Sequence, residues 1–363
     1  MPTSERSPLK RARRVVVKIG SRTLAGDGAV YQRLAAAVAG AQKEGRAVVV
    51  VTSGAIALGT KRLGYRTRPK EMARLQAAAA AGQSILMRAY DEAFGARGLT
   101  VAQVLLTHAD LADRVRANNA RAALSALLDA GAIPILNEND SVAVEEIKFG
   151  DNDQLSAMVT PLVDADLLIL LSDVPGLLDA RGERVRVVHD VATEAAPLVR
   201  ASTSASAVGT GGMASKIEAA RRATLAGANV VVGDARAEGI IEATLAGEDV
   251  GTLFVAAAKR LTAKKHWIAF TLRPRGEVVL DRGAADAVRA KGKSVLPIGV
   301  LGVRGDFRAG DAVRLLDPDG HEIGRGLARY PAVEAVVVAG KAGPKLQDPE
   351  HAELVHRDEL VVW

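Results

Sequence analysis

Short apolar runs alternate with longer helical stretches along most of the chain. Each run is rich in Val, Ile or Leu and is bounded by glycine or polar residues, which is typical of a strand buried on both faces. This alternation predicts an α/β fold with a mainly parallel sheet covered by helices on both sides. The predicted strands span residues 14–19, 47–51, 99–106, 133–136, 167–171 and 229–232. The predicted helices span residues 31–44, 72–94, 113–130, 151–163 and 239–246, and one more begins near Met213.

The sequence pattern changes after residue 256. From Gly276 onward, short strand-like runs are separated by Gly, Pro and Asp turns, which predicts a small, mostly β, barrel-like module. At 363 residues the chain is long enough for about two domains. The predicted divisions are a basic, disordered tail over residues 1–13, an α/β domain over 14–256, a linker over 257–273 and the β module over 274–363.

The net charge of +6 is concentrated near the N-terminus. Residues 1–18 hold six Lys or Arg and one Glu, whereas residues 275–363 hold 13 Lys and Arg against 14 Asp and Glu. Protein surfaces that bind nucleic acids are usually clusters of basic residues. Since the C-terminal module has no basic excess, it is not expected to bind RNA strongly. The basic tail leaves a weak RNA-binding function open as an alternative.

Two absences in the sequence exclude several classes of protein. The chain has no cysteine, which excludes disulfides, thiolate catalysis and cysteine-ligated metals. No apolar stretch reaches the length of a membrane span, since Asp164 and Asp166 interrupt the most hydrophobic region. We therefore expect a cytoplasmic protein without membrane contact.

The stretch from 133 to 153 combines a short apolar run with a dense group of acids and amides. In α/β sheets, ligands bind beyond the carboxyl ends of the strands. Asp140, Asn152 and Asp153 therefore become candidates for holding an ammonium group or for orienting lysines. A polar loop that ends in a helix cap at Asp151 is the competing interpretation.

Three glycine-containing turns are candidate anion sites. Lys18 ends the first predicted strand beside Gly20, and Ser53 and Gly54 follow the second. Backbone N–H groups at such turns can bind phosphate. The competing interpretation of Lys18 is that its ammonium group only extends into water. In the stretch 201–216, glycines precede a helix with Lys216 in its first turn, where a cation opposes the helix dipole unless an anion is present. Neither the GxxxxGK[ST] nor the GxGxxG motif is present.

These residue types suit phosphoryl transfer. An ATP polyphosphate lying between Lys18 and Lys216 would need positioning and positive charge, which two lysines and Mg²⁺ supply. The six histidines lie outside the candidate turns, so no general base is evident. This favours an acceptor that is already ionised at neutral pH, such as a carboxylate with a pKa of about 4.3.

Five motifs, in order along the chain, carry a family resemblance. They are VVVKIGS from Val15, VVVTSGAIALG from Val48, ILNENDSVAVEEIKFGDND from Ile135, LLSDVPGL from Leu170 and GTGGMASK from Gly209. With them the chain resembles the bacterial glutamate 5-kinases of the amino acid kinase superfamily, with a C-terminal part that resembles a PUA domain. The resemblance implies a three-layer sandwich and ATP-dependent phosphorylation of the γ-carboxyl of L-glutamate with Mg²⁺. This reaction is the first step of proline biosynthesis, and proline would inhibit it.

The resemblance also implies roles for individual residues. Lys18 and Lys216 would stabilise the transferring phosphoryl group, and Asp153 would orient both lysines. Ser53 and Gly54 would hold the substrate, and Asp140 and Asn152 would bind its α-amino end. The implied nucleotide site is Lys18, Ser172, Asp173, Thr210, Gly211, Gly212, Met213, Ala214, Ser215 and Lys216. No metal ligand is assigned.

Other readings of the same motifs stay open. A kinase for N-acetylglutamate or uridylate is the alternative within the superfamily, and an RNA-binding PUA protein is the alternative outside it. Where related kinases commonly have an aromatic residue after Gly-Leu, this chain has Leu178, and the following loop at 179–187 is short. Nucleotide preference is therefore left open. Expected partners are a second copy, as a dimer or tetramer, and a glutamate-5-semialdehyde dehydrogenase.

Overall fold

The computed structural model describes residues 4–26, 28–143, 152–202, 212–341 and 353–363. The chain divides into two compact units, Met1–Arg260 and Leu261–Trp363. Within the described residues, no helix combines the length and apolar composition that crossing a membrane requires.

The first unit is built on one eight-stranded sheet. Its strands are β1 (Arg14–Ile19), β2 (Ala47–Val51), β3 (Val101–Leu106), β4 (Ile133–Glu138), β5 (Leu167–Ser172), β6 (Val187–Val188), β7 (Asn229–Asp234) and β8 (Thr252–Phe254). They lie in the order β3-β4-β2-β1-β5-β7-β8-β6, and every neighbouring pair is parallel except β7 and β8. The predicted mainly parallel sheet is confirmed.

The helices of the first unit follow the predicted alternation. They are α1 (Ser7–Lys10), α2 (Ser21–Gly26), α3 (Ala29–Lys43), α4 (Ala55–Arg62), α5 (Met72–Gly95), α6 (His108–Ala112), α7 (Arg114–Asp129), α8 (Asn152–Leu162), α9 (Ala196–Ser202), α10 (Met213–Leu225) and α11 (Ile240–Leu245). Ser4–Arg6 adds a 3₁₀ turn and Val191–Ala195 a π-helical turn.

Two hydrophobic cores, one on each face of the sheet, make this unit a three-layer sandwich. Along β1, Val15 and Val17 point into the core shared with α3, α5 and α11, whereas Val16 points into the core shared with α7, α8 and α10. Because successive side chains of a strand point to opposite faces, an unbroken apolar run is what a strand covered on both faces requires.

Helices α4 and α5 pack with their backbones in contact. A Cβ placed on Gly59 would lie 1.7 Å from the carbonyl oxygen of Ala78, and one on Gly82 would lie 1.8 Å from that of Ala55. No larger residue fits at this crossing. The contact fixes the start of α4, and with it the turn after β2, against α5.

The predicted disordered tail is wrong for residues 4–13. Arg6 is 1% exposed, and its guanidinium donates to the carbonyl oxygens of Glu248 at 3.0 Å, Val250 at 2.8 Å and Arg186 at 3.0 Å. Leu9 lies wholly inside the first core. The local charge pattern of this segment gave no sign of these partners because all of them are far away in the sequence.

The second unit contains a five-stranded sheet with the order β10-β9-β11-β12-β13. Its strands are β9 (Gly276–Leu280), β10 (Val300–Gly305), β11 (Ala312–Leu316), β12 (Glu322–Leu327) and β13 (Leu360–Val362). Its helices are α12 (Ala263–His266), α13 (Arg282–Lys291) and α14 (Ala332–Val338). A π-helical turn spans Trp267–Thr271, and 3₁₀ turns span Pro297–Gly299 and Arg357–Glu359. The prediction of a small, mostly β module is confirmed.

The predicted linker over 257–273 is wrong for its central part. Residues 263–271 are helical and belong to the second unit. Ile268 and Phe270 are buried, and Arg325 donates to the carbonyl oxygen of Ala269 at 2.8 Å. The segment is ordered because its apolar side chains pack into the second unit.

The buried contacts of Arg6 predict a large cost for removing its guanidinium. Arg6→Met leaves four backbone carbonyl groups and Asp249 without this donor, so we expect the free energy of unfolding to fall by about 3 kcal/mol. Urea unfolding measures the change. Arg181→Met is the matched control, since the side chain of Arg181 is 76% exposed, and it should change stability by less than about 0.5 kcal/mol. Equal effects of the two substitutions would contradict the assignment of Arg6 as a buried anchor.

Candidate active site

The candidate site lies where the strand order of the first sheet reverses. From β1 the chain passes to β2 on one side, whereas β5 pairs with the other side of β1. In open α/β sheets this arrangement leaves a crevice beyond the carboxyl ends of the two central strands, and ligands bind there. Lys18 and Gly20 lie at the carboxyl end of β1, and Ser172 and Asp173 lie at that of β5. We call this region the switch-point crevice.

A buried carboxylate joins two lysines from distant parts of the chain. Asp153, in the first turn of α8, is 0% exposed. Its Oδ2 accepts a hydrogen bond from Nζ of Lys216 in α10 at 3.0 Å, and its Oδ1 pairs with Nζ of Lys18 in β1. The three side chains, which we call the Lys-Asp-Lys cluster, carry a net charge of +1.

The charge state of Asp153 follows from its two partners. Burial alone disfavours the carboxylate, but the ammonium groups of Lys18 and Lys216 outweigh burial and hold the pKa of Asp153 below its ordinary value. Asp153 also explains why a cation, Lys216, is tolerated in the first turn of α10. The anion that offsets the helix dipole at Lys216 is the carboxylate of Asp153.

A network of amides and hydroxyls lies at the carboxyl ends of β2 and β4. Nδ2 of Asn152 donates to the carbonyl oxygen of Thr52 at 2.5 Å, to Oγ of Ser53 at 2.8 Å and to Oδ1 of Asn137 at 2.9 Å. The structure thus brings together Ser53 and Asn152, two residues that the resemblance assigned to the substrate. Gly54 has a φ of +102°, which favours glycine, and it precedes α4.

A buried tyrosine, Tyr90, is hydrogen-bonded to Thr52, whose carbonyl oxygen belongs to this network. The hydroxyl of Tyr90 donates to Oγ1 of Thr52 at 2.8 Å, and burial raises the pKa of Tyr90, so the hydroxyl keeps its proton. The rings of Tyr31 and Tyr90 pack nearly perpendicular to each other, with their centroids 5.1 Å apart. The turn after β2 is therefore held by a hydrogen bond that reaches through the core.

Gln83 belongs to the same network, and sequence reasoning missed it. Its Oε1 accepts from Nδ2 of Asn137 at 2.9 Å. Its Nε2 is buried and has no hydrogen-bond acceptor among the described residues. A buried amide donor of this kind costs stability unless another group accepts its hydrogen bond, so Gln83 is a candidate donor to a substrate carboxylate. Nothing in the sequence of α5 distinguishes Gln83 from a structural helix residue.

The remaining candidates for the acceptor and nucleotide sites divide between described and undescribed residues. Asp140 is half-buried in the turn after β4, where the N–H of Asn139 donates to the carbonyl oxygen of Leu106 at 3.0 Å. Asp151, the candidate helix cap, lies outside the described residues, as do Thr210 and Gly211. Gly212 directly precedes α10, which begins with Met213, Ala214 and Ser215.

Two arginines that the sequence analysis did not select surround the end of β5. Nη1 of Arg22 donates to Oδ2 of Asp173 at 3.1 Å, and Oγ of Ser172 donates to Oδ1 at 3.1 Å. Arg236 donates to the carbonyl oxygen of Asp173 at 2.9 Å and also pairs with Asp234. Partial burial opposes ionisation, but the hydrogen bonds from Arg22, the backbone and Ser172, together with the charge of Arg22, outweigh it and lower the pKa of Asp173.

The segment after Asp173 forms a short hairpin. Leu178 bridges to Arg184, and the N–H of Asp179 donates to the carbonyl oxygen of Glu183 at 2.9 Å. Leu178 is 41% exposed at the position where related kinases commonly have an aromatic ring. The bridge and the hydrogen bond close the loop that follows Leu178 after only a few residues, as expected from the sequence.

The described carboxylates of the crevice suit a metal ion that arrives with its ligand. Asp153 is occupied by two lysines, and Asp173 by Arg22 and Ser172. Among the described residues, the three side chains spaced for an ion of their own are Asp317, Asp319 and His321, which belong to the second unit. Mg²⁺ is commonly held by substrate phosphates together with one or two carboxylates, and because the described carboxylates of the crevice already have partners, the phosphates of the ligand would supply most of its contacts.

Comparisons with known proteins agree with this architecture. Residues 13–234 match the amino acid kinase family, and residues 276–348 match the PUA domain. The glutamate 5-kinase of Geobacter metallireducens is 47% identical over 98% of this chain and 98% of its own length. The glutamate 5-kinase of Ralstonia nicotianae is 46% identical over 98% of this chain and 99% of its own.

A solved structure shares the fold at lower identity. The N-acetylglutamate synthase of Neisseria gonorrhoeae, solved with coenzyme A and L-arginine, is 18% identical with a TM-score of 0.52. The match covers 70% of this chain and 64% of that one, and it bears on the fold alone.

The α/β sandwich and the cluster at its switch point define an enzyme of the phosphotransferase class. The chain belongs to the amino acid kinase family and carries a C-terminal PUA domain. Over nearly its whole length it is similar to proteins named glutamate 5-kinase, as the sequence motifs predicted.

The depressed pKa of Asp153 predicts an acid-sensitive contribution to stability. The carboxylate stabilises the fold fully above its unfolded pKa of about 3.9, and this contribution is lost as the pH falls toward the lower folded pKa. The difference in unfolding free energy between the wild type and Asp153→Asn should therefore be constant down to about pH 5 and shrink by about pH 3. Urea titrations at both pH values measure it. Asp164→Asn, at an exposed position, is the control, and a difference at Asp153 that does not change with pH would contradict the assignment.

Proposed function

We propose that this chain transfers the γ-phosphoryl group of ATP to the γ-carboxylate of L-glutamate, in the cytoplasm, as the first step of proline biosynthesis. The observation that carries the proposal is the buried Lys-Asp-Lys cluster at the switch-point crevice. The name of the relatives, glutamate 5-kinase, supports the choice of acceptor.

The proposed reaction needs no general base. A γ-carboxylate oxygen forms a bond to the γ-phosphorus, the bond from that phosphorus to the β,γ-bridging oxygen breaks, and the electron pair leaves with ADP. A glutamate side chain with a pKa of about 4.3 is already ionised at neutral pH. The enzyme therefore has to align two anions and to stabilise the charge of the group in transfer.

Lys18 and Lys216 would supply that stabilisation. Each ammonium group is bonded to a different oxygen of Asp153, so their mutual position is fixed before any ligand arrives. Charge that is already oriented costs no reorganisation during the reaction. Mg²⁺ bound with ATP would neutralise charge on the β- and γ-phosphate oxygens. Ser172, Asp173 and residues 210–216 would line the rest of the nucleotide site.

The amide network would receive the acceptor. Ser53 and Gly54 follow β2, and Asn152 donates a hydrogen bond to Ser53. Asn152 directly precedes Asp153, so this network lies next to the Lys-Asp-Lys cluster. Asp140 would pair with the α-ammonium group of glutamate. N-acetylglutamate has no such charge and would offer this carboxylate no ammonium group, and uridylate has no ammonium group at all.

Three further parts of the proposal concern control and assembly. Proline has an ammonium group and a carboxylate on one carbon, as glutamate does, so it would inhibit by competing for the α-amino end of the site. The product is an acyl phosphate that water destroys, and a glutamate-5-semialdehyde dehydrogenase would consume it. We also propose that the chain forms a homo-oligomer, a dimer or tetramer.

Turnover with competing acceptors tests the proposed function. The full chain is incubated with MgATP and L-glutamate, N-acetylglutamate or UMP, and hydroxylamine traps any acyl phosphate as a hydroxamate while ADP release reports total turnover. We expect hydroxamate from L-glutamate alone, and less of it when proline is added. ADP release with UMP or N-acetylglutamate, and none with L-glutamate, would overturn the choice of substrate.

Asp140→Ala tests the recognition of the ammonium group. Loss of a charged hydrogen-bond partner should raise the KM for L-glutamate about tenfold or more and change kcat little. The KM for ATP serves as the internal control. A roughly tenfold loss of kcat with an unchanged KM for L-glutamate would show that Asp140 does not bind the ammonium group.

A further inference from the structure

An exposed ion pair crosses the switch-point crevice. Arg22 lies in α2, just after β1, and Asp173 follows β5, so the two side chains come from opposite sides of the crevice. Nη1 of Arg22 meets Oδ2 of Asp173 at 3.1 Å, with side-chain exposures of 70% and 46%. A ligand that enters between the ends of β1 and β5 has to meet this pair.

The charge of the crevice leaves a need for another cation. The Lys-Asp-Lys cluster carries +1, because Asp153 offsets one of its two lysines. An ATP polyphosphate brings several negative charges, which Mg²⁺ offsets only in part. A further positive side chain at the rim would therefore strengthen nucleotide binding.

The two arginines at this rim differ in how firmly they are held. Arg236 makes hydrogen bonds from Nε and Nη2 to Asp234 and another to the backbone of Asp173. Arg22 meets Asp173 through one nitrogen of a guanidinium that has five N–H donors. Because the pair is exposed to water, its two partners separate at little cost. Arg22 is thus the more easily released of the two.

We infer that Arg22 leaves Asp173 when the nucleotide enters and binds the oxygens of its polyphosphate as a third cation beside Lys18 and Lys216. An arginine is suited to this exchange because its planar fork binds phosphate through two parallel hydrogen bonds. In the absence of the nucleotide, Asp173 holds the guanidinium at the crevice. The inference rests on the proposed function in so far as that function puts the nucleotide here.

The competing role for the same pair predicts the opposite result. If Arg22 and Asp173 only tie the two sides of the crevice together, then removing the guanidinium opens the crevice and tightens nucleotide binding or leaves it unchanged. If Arg22 binds phosphate, removing it weakens binding in proportion to the number of phosphates.

Calorimetric titration of the full chain with ATP, ADP and AMP, in the presence of Mg²⁺, distinguishes the two roles. Arg22→Gln should weaken ATP binding about tenfold, weaken ADP binding less and leave AMP binding unchanged. Arg22→Lys should restore part of the ATP affinity. Arg121→Gln is the matched control, because Arg121 is a partly exposed arginine that pairs with Asp164, before the amino end of β5 and so at the opposite edge of the sheet.

Each other outcome has a definite meaning. Unchanged or tighter ATP binding in Arg22→Gln, or an equal loss for ATP and AMP, would overturn the role of Arg22. The titrations contain no acceptor, so they separate this inference from the choice of substrate. ATP binding that depends on Arg22 without hydroxamate from glutamate would leave the inference standing and reject glutamate.

Discussion

The carboxylate of Asp153 is the interaction on which the site depends. It lies wholly inside the protein and joins a strand and a helix that are nearly 200 positions apart in the chain, β1 through Lys18 and α10 through Lys216, by way of α8. A buried charge is tolerated only when it is paired, and here one carboxylate pairs two ammonium groups. Removing Asp153 would leave two buried ammonium groups without their shared carboxylate, whereas removing one lysine would leave a single ion pair. The cluster therefore ties the packing of three elements to one electrostatic arrangement.

The order of the strands in the sheet brings the other groups of the site next to the Lys-Asp-Lys cluster. Because β1 lies between β2 and β5, the turns after β1, β2 and β5 open toward one crevice. The Lys-Asp-Lys cluster, the Ser53–Asn152 network and the Arg22–Asp173 pair all stand at these strand ends. The groups proposed to bind phosphate and acceptor are thus positioned by backbone that is fixed on both faces by a hydrophobic core. The crossing of α4 and α5 at Gly59 and Gly82 adds rigidity on the side proposed for the acceptor.

Local features of the sequence were enough to predict most of the fold. The strand predicted over 133–136 is observed as Ile133–Glu138, and the helix predicted over 31–44 as Ala29–Lys43, because apolar runs and helical periodicity report burial directly. Lys18, Asp153 and Lys216 were selected as candidates, and their convergence followed from the motif resemblance. The buried tail and the ordered segment at 263–271 were missed, because their order depends on partners that local composition does not reveal.

Contacts between distant residues account for what the sequence could not predict. The partners of Arg6 lie between 180 and 245 positions away, and Arg22 and Asp173 are 151 positions apart. Gln83 meets Asn137 across 54 positions from an ordinary helix face. Each of these side chains looks like a solvated surface residue or a structural helix residue in a single sequence. Their roles follow only from the folded geometry.

A double-mutant cycle on the Lys-Asp-Lys cluster tests the central claim most directly. Steady-state turnover with MgATP and L-glutamate is measured for Asp153→Asn, Lys216→Ala and the double variant. If Asp153 acts by holding the lysines, each single substitution should lower kcat by about a hundredfold to a thousandfold, and the double substitution should lower it little further. Strictly multiplicative losses, or an Asp153→Asn variant with normal kcat, would contradict the account that one carboxylate organises the site.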